Sequence, residues 1–235
     1  MTNNSRIIIV GASSSIGKVV LDQFLSKNFS ILATYNNTIP SINLSKLIRM
    51  ENLDLMSSES LDKFVDEIVP DFGKVDGLVF LTGILPGKSL DQYSDELMQE
   101  VMQINLVSQA ALLRRLLPYF NYAAQILFVS SIAGDRGSFD PIYAASKAAQ
   151  NSFVKSLSTW MAPNLRVNAI APGLVDDTNM FENMSVERRE YHAAQTPTKK
   201  LTTKKDLAAI ILELYSPKWS NFNGQILHIN GGSHV

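Results

Sequence analysis

The stretch RIIIVGASSSIGKVVLDQFL, residues 6–25, decides the fold class of this chain. Its first five residues form a short, mostly β-branched apolar run, which is typical of a buried strand in a parallel sheet. A loop of small residues follows at 11–17, and Val20 and Phe24 then recur at helical spacing. The order of strand, tight loop and helix predicts the opening unit of an α/β fold.

The rest of the sequence continues this alternation. We predict further strands at 29–35, within 47–55, and at 75–81, 125–129, 166–170 and 225–229. We predict further helices through 61–68, stopped by Pro70, and at 95–120, 143–161 and 206–215. Alternation from end to end predicts one doubly wound α/β domain over residues 1–235, with a parallel seven-stranded sheet and helices on both faces. Residues 174–205 look irregular and polar, so we expect a substrate lid there.

Composition excludes several classes of function. Hydrophobic residues make up 46% of the 235 residues, and the formal net charge of −1 gives no sign of the basic face that binds nucleic acid. There is no cysteine, so disulfides, thiolate catalysis and cysteine-based metal sites are excluded. The three histidines match no metal motif, and we expect no metal. Apolar runs are too short for a signal peptide or a membrane span, so we expect a cytoplasmic protein without a membrane partner.

The loop at 11–17 lies where parallel α/β sheets bind phosphate. Backbone N–H groups and the helix N-terminus favour an anion there, and small side chains let it approach. The candidate ligands are Gly11, Ser13, Ser14, Ser15, Ile16 and Gly17. A turn that only needs small residues for strand–helix packing would look the same. Asp54, near the end of the third strand, is a candidate acceptor for an adenine amino group, or equally a turn aspartate.

Tyr143 and Lys147 form the strongest chemical signal, in Tyr-Ala-Ala-Ser-Lys. Residues at i and i+4 share one helix face. A buried ammonium beside a phenol lowers the phenol's pKa, which suits proton transfer at neutral pH. Ser131 follows a strand end twelve positions earlier and is placed to hold a substrate oxygen. A packing tyrosine and a solvated lysine are the alternatives.

In these motifs the chain resembles the short-chain dehydrogenase/reductase family, and within it the 3-oxoacyl-carrier-protein reductases. The resemblance covers essentially the whole chain in the correct order. The motifs that carry it are the turn at 11–17, Asp54-Leu55, Asn105-Leu106, Ser131, Tyr143 with Lys147, Pro172-Gly173 and Asn230-Gly231-Gly232. The resemblance implies a Rossmann fold and an oxidoreductase that transfers a hydride between NAD(P)(H) and a small-molecule carbonyl or secondary alcohol.

The resemblance also implies roles for particular residues. Tyr143 is then the acid/base, Lys147 binds the nicotinamide ribose and tunes the tyrosine, and Ser131 positions the substrate. Asn105 helps to hold a water-linked proton relay, unless it only caps local backbone. Further cofactor contacts fall to Leu55, Gly83, Pro172, Gly173, the Val175 backbone and Thr178. Family members pair through two long helices, which implies a homodimer or homotetramer. The apolar residues expected to form such an interface are Ala110, Ala111, Leu112, Leu113, Leu116 and Leu117.

The chain departs from the family pattern at three points. Ser15 replaces a glycine in the phosphate turn, so we expect either backbone strain there or a shifted loop. Residues 80–83 read Phe-Leu-Thr-Gly instead of Asn-Asn-Ala-Gly, which removes the structural support of two asparagines. Thr178 stands one residue too far after Pro172-Gly173, which puts its cofactor contact in doubt.

Cofactor choice depends on the end of the second strand, Thr34-Tyr35-Asn36-Asn37. An acid there binds the ribose hydroxyls of NAD, and an arginine accommodates the 2′-phosphate of NADP. This chain has neither. Ser14, Asn36 and Asn37 offer hydrogen-bond donors and no negative charge, which favours NADP(H) over NAD(H).

The substrate is expected to be partly apolar. Candidate pocket residues are Ile84, Leu85, Phe139, Met180, Phe181 and Met184, although core or lid packing would explain them too. Two other functions remain open. One is a catalytically silent NAD(P)-sensing regulator on the same fold, which the altered phosphate turn favours. The other is epimerisation or dehydration of a nucleotide sugar, for which 235 residues leave little room.

Overall fold

A computed structural model describes residues 5–40 and 45–235 of the predicted domain, and residues 1–4 and 41–44 lie outside this description. The strands it contains are β1 (Arg6–Val10), β2 (Ser30–Tyr35), β3 (Ile48–Asn52), β4 (Val75–Phe80), β5 (Phe120–Val129), β6 (Leu165–Pro172), β7 (Val175–Asp176), β8 (Thr202–Thr203) and β9 (Ile226–Ile229). Seven of these described strands form one parallel sheet in the order β3-β2-β1-β4-β5-β6-β9. The predicted doubly wound fold is confirmed.

Helices cover both faces of the sheet. They are α1 (Ser15–Leu25), α2 (Ser58–Lys63), α3 (Val69–Phe72), α4 (Asp95–Met102), α5 (Ser108–Leu116), α6 (Ala133–Arg136), α7 (Pro141–Met161), α8 (Asn179–Glu182), α9 (Val186–Gln195) and α10 (Lys204–Leu214). Two π-helical turns, Phe64–Ile68 and Gln103–Val107, join α2 to α3 and α4 to α5. Single-turn 3₁₀ helices occupy Leu90–Gln92, Leu117–Tyr119 and Pro217–Trp219.

One predicted helix end is wrong. Pro70 does not stop the second helix, which continues to Phe72 and ends at Gly73 with φ +84°. The proline is tolerated because it follows directly on a π-helical turn and occupies the first turn of α3, where an N–H has no necessary partner.

The core divides into two apolar layers because side chains alternate across each strand. Along β1, Ile8 and Val10 face the layer that holds Phe64 and Leu112. Ile7 and Ile9 face the opposite layer, which α1 and α10 cover. Both layers are buried, and β1 between them is therefore apolar from Ile7 to Val10, as the sequence predicts.

The order of strands reverses between β1 and β4. From β1 the chain moves outward through β2 and β3, and it then returns to the other side of β1 as β4. The loops after these two strands diverge, which opens a crevice at the carboxyl edge of the sheet. This crevice brings residues 11–17 together with 81–84.

The prediction that 174–205 is irregular is wrong. The segment contains α8 and α9, and β7 pairs with β8 in a two-stranded parallel sheet at its base. Thr178 and Ser185 cap the two helices by accepting hydrogen bonds from Phe181 N and Arg188 N. Hydroxyl caps of this kind are the local signal that the sequence offered and that the prediction did not use.

The exposed apolar surface expected on the helix predicted at 95–120 is largely missing. Leu112, Leu113 and Leu116 are at most 1% exposed and belong to the core of the single chain, and Ala111 and Leu117 pack against that core. The leucines therefore stabilise this fold rather than supply a surface for a second copy. None of the helices in the described residues has both the length and the apolar composition needed to cross a bilayer.

Candidate active site

The crevice at the strand reversal is a cleft of about 350 Å³. Its walls come from the loops that follow β1, β2, β3 and β4. Of the residues predicted to bind a cofactor, those that line it are Gly11, Ser13, Ser14, Asn36, Asp54, Leu55 and Gly83. Residues from four separate stretches of sequence thus share one surface.

The turn at 11–17 is built by close backbone approach. Gly11 has φ +87°, and a Cβ there would stand 2.7 Å from Thr82 Cγ2. A Cβ on Gly17 would stand 2.6 Å from the carbonyl oxygen of Ala12. Both glycines are therefore required by packing, and Gly11 also by its backbone conformation. Of the two consequences expected at Ser15, backbone strain is absent, because Ser15 begins α1 without a positive φ.

Ser14 is committed to the turn itself. Its hydroxyl caps α1 by accepting from Gly17 N at 2.9 Å, and it donates its one hydrogen to Gly11 O at 3.0 Å. This leaves Ser14 without the free donor that was predicted for a 2′-phosphate, whereas Asn36 stays exposed at the end of β2. Ile16 lies in the first turn of α1, which carries no acidic residue.

Asp54 lies two residues after the end of β3 and serves a local turn. Its carboxylate accepts from Met56 N at 2.9 Å, and its own N–H donates to Ser60 Oγ. Asp54 is therefore a turn aspartate, one of its two predicted roles, and it also lines the cleft.

Tyr143, Lys147 and Ser131 lie together beside Gly83, which lines the cleft, and we call this group the inner end of the cleft. Tyr143 and Lys147 share one face of α7, with Lys147 Nζ 5.9 Å from the centre of the Tyr143 ring. Ser131 follows the end of β5 and hydrogen-bonds the Tyr143 side chain. Gly83 is packed against this group, since a Cβ there would stand 3.3 Å from Lys147 Nζ.

The predicted direction of the Tyr143 pKa shift is wrong. Burial raises the pKa of Tyr143 above its usual value of 10.0, the Ser131 hydrogen bond opposes this, and the charge of Asp140 adds to it. Burial also lowers the pKa of Lys147 from 10.5 to about 7. Removal of water is the largest cause of both shifts, since it disfavours the charged form of each group.

Asn105 is fully buried in the π-helical turn between α4 and α5. Its side chain accepts from Ile84 N at 2.8 Å and donates to Ile84 O at 3.0 Å and to Ser146 Oγ at 2.9 Å. It therefore fixes the loop after β4 against α7. The side chain does not cap local backbone, the alternative that the sequence left open, because its partners lie 21 and 41 residues away.

Two buried glutamines that the sequence analysis did not single out connect this group. Gln150 Nε2 donates to Asn105 O at 3.1 Å and to Gln109 Oε1 at 2.8 Å, and Gln150 Oε1 lies 3.4 Å from Lys147 Nζ. Lys147 also donates to Val129 O at 2.8 Å. The one available signal was position: Gln150 stands one turn after Lys147 on the same helix face.

The glutamines also compensate for the altered sequence at 80–83. Gln109 Nε2 donates to Thr82 O at 3.0 Å and to Thr82 Oγ1 at 3.2 Å. The support expected to be lost with the two asparagines is thus supplied from α5.

Asp140 orients the start of α7. It caps α7 by accepting from Tyr143 N at 2.9 Å, and it also accepts from Tyr93 Oη at 2.7 Å and Gly87 N at 2.8 Å. Asp140 is only 2% exposed. It holds the loop around Gly87 against the helix that carries Tyr143, and sequence spacing of 47 and 53 residues hid this contact.

The segment after β6 is tied to the sheet. Gly173 N donates to Ile229 O at 3.0 Å, and Pro172 O accepts from Ile132 N. Val175 O accepts from Thr178 Oγ1 at 2.9 Å, so the Thr178 hydroxyl is used within the segment. The same hydroxyl also accepts from Phe181 N, so it both donates and accepts within the segment.

Of the expected substrate pocket residues, Met180, Phe181 and Met184 lie within residues 174–205, and Phe139 lies beside that segment. Phe139 and Met180 are 60% and 45% exposed. Arg188 of α9 lies over the Phe139 ring at 5.6 Å, and Arg189 lies over Phe181 at 4.8 Å. The lid thus contacts the loop before α7, and Ile84 belongs to the cleft wall.

Comparison with known proteins agrees with this geometry. The sequence model of the family described as enoyl-(acyl carrier protein) reductase matches residues 11–234. A Bacillus subtilis protein named uncharacterized oxidoreductase YmfI is 34% identical, over 98% of this chain and 99% of its own length. The 3-oxoacyl-[acyl-carrier-protein] reductase FabG of Vibrio cholerae is 28% identical, over 97% of this chain and 96% of its own.

A solved structure from Brucella melitensis, titled short-chain dehydrogenase/reductase SDR: glucose/ribitol dehydrogenase, matches with a TM-score of 0.91 at 27% identity. The match covers 99% of this chain and 98% of that one. Fold, full-length relatives and family model agree: the chain belongs to the short-chain dehydrogenase/reductase family of NAD(P)-dependent oxidoreductases.

Proposed function

We propose that this enzyme reduces a carbonyl group, or oxidises the matching secondary alcohol, with Tyr143 as the acid/base. The observation that carries the proposal is the grouping of Tyr143, Ser131 and Lys147 against Gly83 at the inner end of the cleft. A proton donor, a second hydroxyl and an amine within one pocket are the parts that carbonyl reduction needs from the protein.

The residues of the cleft fit a dinucleotide. Gly11 and Gly83 leave backbone where side chains would close the cleft, and the first turn of α1 offers N–H groups without an acid nearby. Nicotinamide nucleotide supplies or accepts the hydride when bound. NADP(H) is the proposed form, because the exposed Asn36 at the end of β2 brings no negative charge toward a 2′-phosphate. NAD(H) is the alternative.

Each side chain then has a defined task. The Tyr143 hydroxyl gives its proton to the oxygen of the carbonyl as that oxygen becomes an alkoxide, and Ser131 hydrogen-bonds the same oxygen. Lys147 holds ribose hydroxyls and brings positive charge near the phenol. Asn105 and Gln150 act as positioning residues through Ile84 and Lys147. The proposed cofactor contacts of Pro172, Gly173 and the Val175 backbone complete the far wall.

The proposed substrate class is a 3-oxoacyl compound or a similar partly apolar carbonyl. Its support is the activity in the printed name of FabG relatives and the exposed apolar side chains of Phe139 and Met180 beside the lid. We also propose one domain with a substrate lid at about 174–205, and a homo-oligomer of two or four copies. Cytoplasmic location stays a prediction.

The test is oxidation of NADPH and of NADH by the purified protein with a panel of 3-oxoacyl thioesters and simple ketones. We expect turnover with at least one 3-oxoacyl thioester. Tyr143→Phe should lower kcat by about 10³-fold with little change in cofactor affinity. Tyr122→Phe, a change at a tyrosine that is 74% exposed near the amino end of β5, is the matched control and should keep full activity.

Two results would overturn the proposal. One is turnover that survives Tyr143→Phe unchanged. The other is cofactor binding without turnover on any member of the panel, which is the behaviour of the sensing alternative. The family comparisons give that alternative no support.

A further inference from the structure

The fold brings together three metal-ligand side chains that the sequence keeps far apart. Asp135 lies on α6, His228 on the edge strand β9, and His234 in the segment after β9. One ligand atom from each lies within 4.8 Å of the other two. Asp135 precedes His228 by 93 residues, which is why spacing along the chain gave no metal motif.

We propose that Asp135, His228 and His234 form a binding site for a divalent transition metal of the Zn²⁺ class. Two imidazoles and one carboxylate are a recurrent ligand set for such ions, and they leave a fourth position for water. The chain has only three histidines and no cysteine, so this cluster uses two of its three strong nitrogen ligands.

The geometry requires a modest adjustment. Bonds of about 2.0–2.2 Å to Zn²⁺ separate ligand atoms by roughly 3.3–3.5 Å in a tetrahedral site. His228 Nε2 and Asp135 Oδ2 are now 2.7 Å apart in a hydrogen bond, and the His228 and His234 rings lie 5.4 Å apart between centroids. A small side-chain rotation admits the ion, because the side chains of Asp135 and His228 are each 32% exposed.

Neighbouring amides already orient the ligands. Asn151 Nδ2 donates to Asp135 Oδ1 at 3.1 Å, which leaves Asp135 Oδ2 for the cluster. Asn230 Nδ2 donates to His234 O at 2.7 Å and holds the final turn of the chain in position. Outer hydrogen bonds of this kind are a regular feature of metal sites, where they fix the direction of the ligands.

The site would tie the segment after β9 to the helix that follows the catalytic serine. That segment also packs on the end of the lid, where Thr198 N donates to Gly231 O at 3.2 Å. Asn151, which holds Asp135, accepts from Ser130 Oγ at 2.6 Å. A bound ion therefore stabilises the lid base and the strand end beside Ser131 without taking part in the reaction.

The experiment is a titration of the full chain, prepared without a polyhistidine tag and stripped with a chelator, with Zn²⁺ alone in a calorimeter. We expect one ion per chain with a Kd of about 10 µM or tighter, and a rise in Tm of about 5 °C at saturation. Co²⁺ in the same site should give the visible absorption of a tetrahedral complex. None of these readouts depends on catalytic activity, so failure here leaves the proposed reaction intact.

Three variants decide the assignment. His234→Ala and His228→Gln should each weaken Zn²⁺ binding tenfold or more, while His192→Ala, the third histidine of the chain, should leave it unchanged. Circular dichroism checks that each variant is folded. If His234→Ala does not fold, His234→Gln replaces it. Absence of binding, binding that survives both ligand substitutions, or binding lost in His192→Ala would overturn the site.

Discussion

The two ends of the cleft are constructed differently. At the phosphate end, residues 11–17 form a turn of small residues in which Gly11 and Gly17 allow backbone to approach backbone. At the inner end, Tyr143 and Lys147 are held by buried polar side chains from several elements. The first end is shaped by the absence of side chains, and the second by their hydrogen bonds.

This difference determines how each end tolerates change. A glycine turn fails sterically, because an added Cβ meets backbone that has no room to move. A hydrogen-bonded network fails electrostatically, because a removed partner leaves a buried polar atom unpaired. Substitution at the phosphate end should therefore mainly lower stability. Substitution at the inner end should change the pKa of Tyr143 or Lys147 and the rate of the proposed reaction.

The largest expected effect is at the phosphate end. Gly17→Val should lower the free energy of unfolding by about 3 kcal/mol, because its Cβ would stand 2.6 Å from Ala12 O. Gly137→Ala is the control: it has a positive φ of 78° but open space, and it should cost only about 1 kcal/mol. Urea denaturation measures both. Equal costs would show that the close approach to Ala12 O does not set the requirement for glycine at position 17.

The second effect concerns Lys147, whose pKa burial lowers to about 7. Between pH 7 and 10.5 the unfolded chain binds the lysine proton and the folded chain does not, so this residue makes stability rise with pH across that window. Lys147→Met should be more stable than the parent at pH 6 by on the order of 2 kcal/mol, and the gain should shrink toward pH 10. Its kcat/KM should fall at least 100-fold.

Thermal unfolding as a function of pH, monitored by circular dichroism, gives the comparison. A Lys147→Met variant that is less stable than the parent at pH 6 would contradict the assignment of an unfavourable buried charge.

The third effect tests the glutamine network. Gln150→Leu removes the donor to Asn105 O and Gln109 Oε1, and should cost about 2 kcal/mol of stability. It should also shift the pH profile of kcat, since Lys147 loses a partner. Gln225→Leu, an exposed control, should change neither. A loss of stability with an unaltered pH profile would reduce Gln150 to a structural role.

The smallest effect concerns cofactor choice. Asn36→Asp places a carboxylate at the end of β2, and should change the ratio of kcat/KM for NADPH and NADH about tenfold in favour of NADH. Steady-state kinetics with both cofactors measures the ratio. An equal change in kcat/KM for both cofactors would show that Asn36 does not lie near the 2′ position of the ribose.

The sequence predicted most of the fold because apolar periodicity is a local signal. The strand bounds of β1 and the span of α7 follow from it almost to the residue. The lid helices were missed because their polar faces resemble loop sequence and only the Thr178 and Ser185 caps mark them. Pro70 was predicted to end its helix, but the helix continues because a π-helical turn precedes the proline.

The site was predictable only where a motif is contiguous or shared with the family. Tyr143 and Lys147 are four residues apart, and the fold has to add nothing to bring them together. Gln109, Gln150 and Asp140 contact the site across 27 to 53 residues, and no local pattern encodes such pairs. The direction of the Tyr143 pKa shift was predicted wrongly because burial sets it, and burial depends on packing that a motif does not encode.

The most direct test of the central claim is a crystal structure of the protein grown with NADPH. The account predicts the nicotinamide at the inner end of the cleft beside Gly83, with the Tyr143 hydroxyl facing its reactive carbon and Lys147 Nζ hydrogen-bonded to ribose hydroxyls. A cofactor bound elsewhere, or Tyr143 and Lys147 directed away from it, would contradict the account.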